Sequence, residues 1–564
     1  MILEKEKFKM ANCKKKLVSA LMLGTAVLAF TACGNKDDAA STTKDGKLII
    51  TLGRQTTADP KLPKGDTYES NAYTRAVDKK FNVKIKDKFE ANGDDYTRQV
   101  SLAIASGDIP DMMVVSRDEM KELYENDLIE NMTDIYKKKA SKGIKEAYES
   151  YNNRPLEDGT FDDKLMGLPA TAGDLGPSLF WIRDDWAQKL GLKLDADGNG
   201  AITINELHDT AKAFSEQNPG GTAKNTGLAL APTLISANYG GSAYTSMGIG
   251  DALGAHPGFW LTGDDGKVVN GTVSSQTKEL LALLNGWYKE GILDKQFGTR
   301  TWDDISAMVV NGETGIIPGP WHIPDWQLFQ TKEKNKEASF KAYALENAAG
   351  KVTTIQNNPT GNFVVVRKGF KKPELAMKII NFIYDETRND ATAATDYPEI
   401  ADYRATAVDG TSRPFNIEIN PSTELLETVS DAQAVLNGKK SADTVKYPDT
   451  RTLITTLETY LKTPATASST DWATYTSRII GVNDVMVKVR NEGIFSETES
   501  PYFGTTKTLE EKGADLDKLR EETFMKMVTG AKPISDFDSF VKQWYKQGGT
   551  AVTKEVQKEV DAKK

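Results

Sequence analysis

From Lys47 onward, short apolar runs of strand length alternate with amphipathic segments of helical spacing, and this rhythm constrains the fold more than any other feature of the chain. Lys47–Leu52 reads as a strand, Ser70–Phe81 as a helix and Asn82–Lys86 as a strand. Tyr96–Ala105 is an amphipathic helix stopped by the Gly and Pro of Ser106–Pro110, which lead into the strand Asp111–Val115. Strands and helices in this alternation predict an α/β fold with a largely parallel sheet. The pattern returns in Leu179–Arg183 (strand) and Asp184–Leu190 (helix), and in Val268 and Val269 after the turn at Asp264–Gly266. Ser275–Gly291 is a helix, Gly315–Pro318 and Phe363–Val366 are buried strands, and Pro373–Tyr384 is a helix with Pro in its first turn. The last part is mostly helical, including Leu516–Val528 and Asp536–Gln547.

What precedes Lys47 is of another kind. A basic start (Lys5, Lys7, Lys9, Lys14, Lys15, Lys16) is followed by the uncharged run Leu17–Ala32, the charged and apolar regions of an export signal too short for a spanning helix. Met10 would serve as well as Met1 to begin such a signal. The run ends in Phe30-Thr31-Ala32-Cys33-Gly34, small residues before a cysteine, which resembles the bacterial lipobox. On that reading residues 1–32 are removed and Cys33 is acylated with fatty, palmitate-type chains. Residues 33–46 then form a flexible tether, of which Asn35–Lys44 is small and polar. An ordinary secretory signal with an incidental cysteine, or a retained membrane anchor, are the alternatives.

Cysteine usage agrees with export and anchoring. Only Cys13 and Cys33 occur, so the body holds no disulfide, thiolate metal site or cysteine nucleophile. The leader carries six lysines and two glutamates, and its loss takes the formal net charge from −9 to −13. That balance argues against nucleic acid or anionic lipid as a partner. A body this long has room for two or more domains.

The sharpest motif is Asp195-Ala196-Asp197-Gly198-Asn199-Gly200-Ala201-Ile202-Thr203-Ile204-Asn205-Glu206. It meets the EF-hand pattern D-x-[DN]-x-[DN]-G-x₅-E at every fixed position. A hard cation such as Ca²⁺ takes six to eight oxygens in a pliant shell. Asp195, Asp197 and Asn199 would supply side-chain oxygens, Ala201 its carbonyl, Thr203 a direct or water-mediated contact, and Glu206 a closing carboxylate. Gly200 would make the sharp turn, with Asp184–Leu190 and Asn205–Ser215 as flanking helices. The bland alternative is a solvated Asp/Asn/Gly turn, but Glu206 in register favours metal. A single loop without a paired partner reads as a structural clamp rather than a sensor.

Several further segments, in their order, carry a resemblance. They are Ala105–Asp111, Met166–Pro169, Trp181–Trp186 with Leu190–Leu192, Tyr288–Leu293, Asn311–Gly315, Gly319–Trp321, Lys372–Met377 and the ending Val528–Gly549. The chain resembles the extracellular solute-binding lipoproteins of ABC importers, the broad group that includes maltose-binding protein, and looks closest to the larger Gram-positive oligosaccharide-binding members. The resemblance implies a periplasmic-binding-protein-like type II fold, two α/β lobes with a hinge and a ligand cleft between them that closes on binding. By analogy, residues 47–169 and 359–420 form lobe 1 and residues 170–358 and 421–564 form lobe 2. It implies capture of an oligosaccharide and delivery to ABC permease subunits served by a separate ATPase. It implies further a monomer held by lipid at the extracellular face of the cell membrane. Single EF-hand-like loops in some oligosaccharide-binding members favour a structural Ca²⁺.

Sugars present flat apolar faces ringed by hydroxyls, so their sites pair aromatic platforms with planar hydrogen-bonding groups. Trp321 is the foremost candidate, because its Gly-Pro-Trp setting resembles a sugar-stacking element of maltose-binding relatives. Its loop adds His322, Asp325 and Trp326. Position alone nominates Asn71 after the first strand, Ser116 and Arg117 after the strand ending at Val115, Tyr239 in a glycine-rich stretch, and Arg413 in a late loop. Trp181, Trp186 and Trp287 are expected in the core.

Catalytic motifs are missing. His208, His256 and His322 show no H-E-x-x-H spacing, and neither a G-x-S-x-G elbow nor a P-loop occurs. The cluster Gly248, Gly250 and Gly254 follows no clear strand. Paired carboxylates are plentiful, so a secreted glycan-degrading enzyme is the alternative of another class, and a peptide or other small solute is the alternative within binding proteins. Two acyl chains anchor a protein stably where one does not. Cys33→Ala is therefore expected to release a protein that still binds its solute, as read by membrane fractionation followed by a binding assay; lost binding would show that the cysteine serves something else.

Overall fold

The computed structural model describes residues 42–57, 61–173, 176–235, 243–388, 392–405, 408, 410–447 and 449–562. Cys33 and almost all of the tether lie outside them. Two sheets organise the rest. The first has the strand order Val83–Asn92, Leu48–Thr56, Met112–Val115, Thr360–Val366, Leu168–Thr171. The second has the order Ile316–Gly319, Leu179–Arg183, Phe340–Glu346, Val352–Ile355, Phe495–Thr498, with Ala201–Thr203 added alongside Phe340–Glu346.

Local chemistry accounts for the elements. Ala72–Phe81 begins at a full capping box of Asn71 and Thr74 and ends at Asn82 in the left-handed conformation. Gly93–Ser106 ends at Gly107, where φ is 69° and a side chain would be strained. Thr301 and Asp304 box the start of Trp302–Asn311, and Gly312 closes it.

The expectation of a largely parallel sheet holds for the first sheet and is corrected for the second. In the first, Val83–Asn92, Leu48–Thr56, Met112–Val115 and Leu168–Thr171 all run in one direction, and Thr360–Val366, inserted between the last two, is antiparallel to both its neighbours. The second sheet is antiparallel across Ile316–Gly319, Leu179–Arg183 and Phe340–Glu346, and parallel only where Ala201–Thr203 and Phe495–Thr498 join. Strand periodicity carries no direction. Direction follows from where the chain comes from, and Thr360–Val366 enters the first sheet directly from the second rather than over a helix.

Each sheet has cores on its two faces, as covered α/β sheets require. Ile50, Val77, Ile85, Val364 and Ile380 fill one side of the first, and Val100, Met113, Leu123 and Phe363 the other. In the second, Phe180 and Ile182 pack with Trp186, Phe214 and Trp287, while Trp181 faces Ala243, Ile317, Val482 and Val485. The three tryptophans expected in the core are there, each at most 3% exposed.

The chain passes between the sheets three times, and the passes touch. The Thr171 N–H donates to the Glu418 carbonyl at 2.8 Å and the Ala172 N–H to the Pro359 carbonyl at 2.8 Å. The Thr171 hydroxyl donates to the Asn420 carbonyl and accepts from the Asn420 N–H. Gly176 leaves no room for a side chain beside Thr354 of the strand that leads into the second pass.

A buried ion pair ties this region to the first sheet. Arg54 forks onto Asp87 through Nε and Nη2 at 3.1–3.2 Å, with both side chains at most 2% exposed. Its Nη1 donates to the Arg413 carbonyl at 2.5 Å. Removing one member leaves the other charge buried and unmatched, which costs about 3–5 kcal/mol. Arg54→Met is expected to lower unfolding free energy by that amount in urea titrations of the mature chain, and a loss under 1 kcal/mol would show that water reaches Asp87.

Candidate functional site

Both sheets present an edge to the three connecting passes. On the second, Ile316–Gly319 ends beside Leu179, the first residue of the strand fed by the first pass. Trp321 follows at once, half-buried, and its neighbour Pro320 accepts from the buried Trp181 Nε1 at 3.2 Å. Behind it runs a widened, π-helical stretch, Thr476–Val487, in which Gly481 allows the Trp181 ring and the Trp321 carbonyl to approach. Arg478 of this stretch lies with Cζ 4.9 Å from the Trp321 ring centroid. Its Nη1 bonds Asp325 Oδ2 and the Ser477 hydroxyl, and that hydroxyl lies 3.0 Å from Asp325 Oδ1. Around the loop, Trp326 donates Nε1–H to His322 Nδ1 at 2.9 Å and stacks on Trp302, which meets Tyr244 at 4.6 Å between centroids.

Trp321 and Asp325 are thus brought together. Arg478, Ser477 and Trp302 were not nominated by sequence; the first two sit in a helix far along the chain, and only packing brings them to the loop. This group sets a part-buried guanidinium over the half-buried Trp321 ring and pairs it with the part-buried Asp325 carboxylate, while the fully buried Ser477 hydroxyl only braces the pair.

The first sheet contributes less. Ser116 caps Arg117–Glu125 by accepting from the Glu119 N–H, while Glu119 Oε2 accepts from the Ser116 N–H. Arg117 lies over Phe161 and donates from Nε to the Asp158 carbonyl at 3.2 Å. Both stand where Met112–Val115 ends, on the edge shared with Thr360 and Thr171. Thr360 donates its hydroxyl to Asp158 Oδ2 at 2.7 Å. Arg413 pairs with Glu418 at 2.5 Å and lies over Tyr384, next to the third pass.

Asn71 does something else. It is fully buried; its oxygen accepts from the Tyr73 and Thr74 N–H groups, and its amide donates to the Thr67, Tyr68 and Ser412 carbonyls. Every polar atom of its side chain is used, so Asn71 holds the fold together and has nothing to offer a solute. Asn is a strong helix cap wherever it follows a loop, and sequence position could not separate that role from a ligand contact. Tyr239 lies outside the described residues.

The 195–206 loop stands between helices Asp184–Lys189 and Ile204–Gln217. Asp195, Gly198 and Gly200 all have positive φ, and a side chain at Gly200 would meet the Asp484 carbonyl at 2.9 Å. The Asp195 carboxylate accepts from the Gly200 N–H through Oδ2, whereas Oδ1 is buried without a hydrogen-bond partner. Burial raises the Asp195 carboxyl above its ordinary range. Asn199 accepts from the Ala201 N–H, Asp197 from the Asn199 N–H, and Glu206 from the Thr203 N–H and hydroxyl. Among the described residues no three acidic or histidine side chains are gathered closely enough to hold an ion. The donor set still fits a hard cation: it is all oxygen, and one buried carboxylate oxygen lacks a partner. Ala201–Thr203 pairs in parallel with Ala344–Glu346, so the backbone partner that a second loop would supply comes here from the sheet, with Ile202 fully buried beneath.

Comparison with known proteins bears on this architecture. The family model for bacterial extracellular solute-binding proteins matches residues 72–409. Lipoprotein LipO of Bacillus subtilis is 21% identical over 96% of this chain and 98% of its own. The fructooligosaccharide ABC transporter substrate-binding protein FusA of Streptococcus pneumoniae is 24% identical over 64% of this chain and 65% of its own. The crystal structure of FusA with kestose superposes with a TM-score of 0.55, at 16% identity over 91% of this chain and 99% of that one. An extracellular solute-binding protein from Bifidobacterium longum subsp. infantis gives 0.62, at 15% identity over 92% and 99%. The two-sheet α/β architecture is that of the periplasmic-binding-protein-like fold. With a family match running from the first helix of one sheet, through the whole of the Trp321 loop, to the edge of the third pass, the chain belongs to the bacterial extracellular solute-binding proteins, a family of binders rather than of catalysts.

Proposed function

We propose that the protein captures an extracellular oligosaccharide between its two sheets and delivers it to ABC permease subunits powered by a separate ATPase. The observation that carries this is the half-buried Trp321 at the sheet edge facing the connecting passes, with the part-buried Asp325 and Arg478 beside it. An aromatic face rimmed by planar polar groups suits a pyranose or furanose ring. FusA, a relative of the same fold, is a fructooligosaccharide-binding protein solved with kestose. Ser116 and Arg117 would contact the solute from the opposite edge, and Arg413 would border it.

The three bonded passes would act as the hinge, with residues 47–169 and 359–420 moving against residues 170–358 and 421–564. A lipid on Cys33 would hold the monomer at the outer face of the membrane, a reading that the name of Lipoprotein LipO supports. Asp195, Asp197, Asn199, Ala201, Thr203 and Glu206 would hold Ca²⁺, a reading supported by the description of one FusA structure as an EF-hand mutant. Bound calcium would supply charge to the buried Asp195 oxygen and hold helix Ile204–Gln217 against the sheet; it takes no part in solute binding.

Calorimetric titration with a panel of oligosaccharides, followed by product assay, tests the first claim. Tight binding without cleavage is expected, and Trp321→Ala should weaken it at least tenfold at unchanged melting temperature. Cleavage without tight binding would overturn the reading. For the metal, calcium at one hundred times its Kd should stabilise the protein by about 2.7 kcal/mol relative to EDTA, and Glu206→Ala should abolish that increment. Equal melting of the wild type in calcium and in EDTA would remove the clamp.

A further inference from the structure

Resting on the sugar reading above, we propose that the solute is an uncharged oligosaccharide, and that the Asp325–Arg478 pair makes the aromatic platform reject uronic acids. A carboxylate-bearing sugar is recognised by a guanidinium that can turn its fork of donors to the ligand. Arg478 is placed where such a fork would be needed, at the Trp321 face, but its Nη1 is bonded and its charge is already matched by Asp325. Its Nη1 bonds both Asp325 Oδ2 and the Ser477 hydroxyl, and that buried hydroxyl lies 3.0 Å from Asp325 Oδ1 and 2.7 Å from the Ala473 carbonyl, between which its one hydrogen is shared. The two charged side chains are similarly part-buried, at 26% and 27% exposure, so the pair presents no net charge to the platform. A uronate seated on Trp321 would lose its own hydration beside a guanidinium whose charge Asp325 already balances, with that carboxylate opposing it.

The same matching recurs around the cleft edges. Arg413 is joined to Glu418, and Arg154 stands 3.4 Å from Asp158. An open groove of about 460 Å³ begins at Thr423, just past the third pass, and its lysines are matched as well, Lys440 to Asp431 and Lys446 to Glu427. Two arginines differ: Arg117, on the opposite sheet from the platform, bonds a carbonyl through Nε, and Arg490, in the lining of that groove, donates to the Met486 and Gly176 carbonyls. A body of formal charge −13 adds a long-range field that repels a polyanion on approach. Neutral hydroxyls, by contrast, can bond to Asp325 and to the remaining guanidinium donors without disturbing the pair.

The test is calorimetry on the mature protein in calcium, with neutral trisaccharides (kestose, maltotriose, cellotriose, xylotriose, mannotriose) against trigalacturonate and trimannuronate. The expected result is that the best neutral sugar binds at least tenfold more tightly than either uronate, with a Kd that does not change between 50 and 500 mM NaCl. Asp325→Asn, which uncovers the Arg478 charge without changing shape, should shift the uronate-to-neutral ratio at least tenfold towards uronate, and Arg478→Gln should shift it the other way. Wild-type protein that prefers a uronate would overturn this inference while leaving the sugar reading standing. An unchanged ratio in folded Asp325→Asn and Arg478→Gln proteins would overturn the role of the pair. Binding of peptides and of neither sugar class would overturn the sugar reading, and this one with it.

Discussion

Thr171 is where three passes of one chain become a single structure. Its N–H is held by Glu418, its hydroxyl by both sides of Asn420, and the next residue is held by Pro359. Each of these partners is nearly two hundred residues or more away, so the bonds exist only once both sheets have formed. Everything with a claim to function is measured from this junction. Trp321 lies beside the strand that the first pass feeds, Ser116 and Arg117 beside the strand that receives the second, and Arg413 beside the third. Hydrogen-bonded extended segments bend together while keeping their register, which is what a hinge between two rigid bodies requires.

Rigidity on either side comes from different sources. The first sheet relies on charge buried against charge, Arg54 on Asp87, with the Arg413 loop fastened to the same guanidinium. The second relies on packing so close that glycine is needed where backbones meet the tryptophans: Gly220 and Gly315 against Trp186, Gly481 against Trp181. The 195–206 loop extends this second body. By lending Ala201–Thr203 to the sheet it makes the geometry of the Asp- and Asn-rich turn a property of the fold.

Much of the architecture could be read from residue order. The strands at Leu179–Arg183 and Met112–Val115, the helix from Ser275 and the buried tryptophans come from period, capping and apolar runs, which are local properties. The EF-hand-like loop was legible for the same reason, since all its donors lie within one turn of chain. The antiparallel centre of the second sheet was not legible, and neither was the fate of Asn71, because a helix cap and a ligand contact draw on the same side chain in the same kind of place.

By itself the sequence determined that the body is α/β, lacks disulfides, carries an oxygen-rich turn and presents Trp321 after a glycine and a proline. Only the tertiary structure decided what surrounds that tryptophan. Arg478 and Ser477 come to Asp325 from more than one hundred and fifty residues away, along a widened helix whose one glycine lets it press against Trp181. Pattern and propensity act over a few residues, whereas the charge balance of a cleft is set by which distant side chains the packing brings within bonding distance.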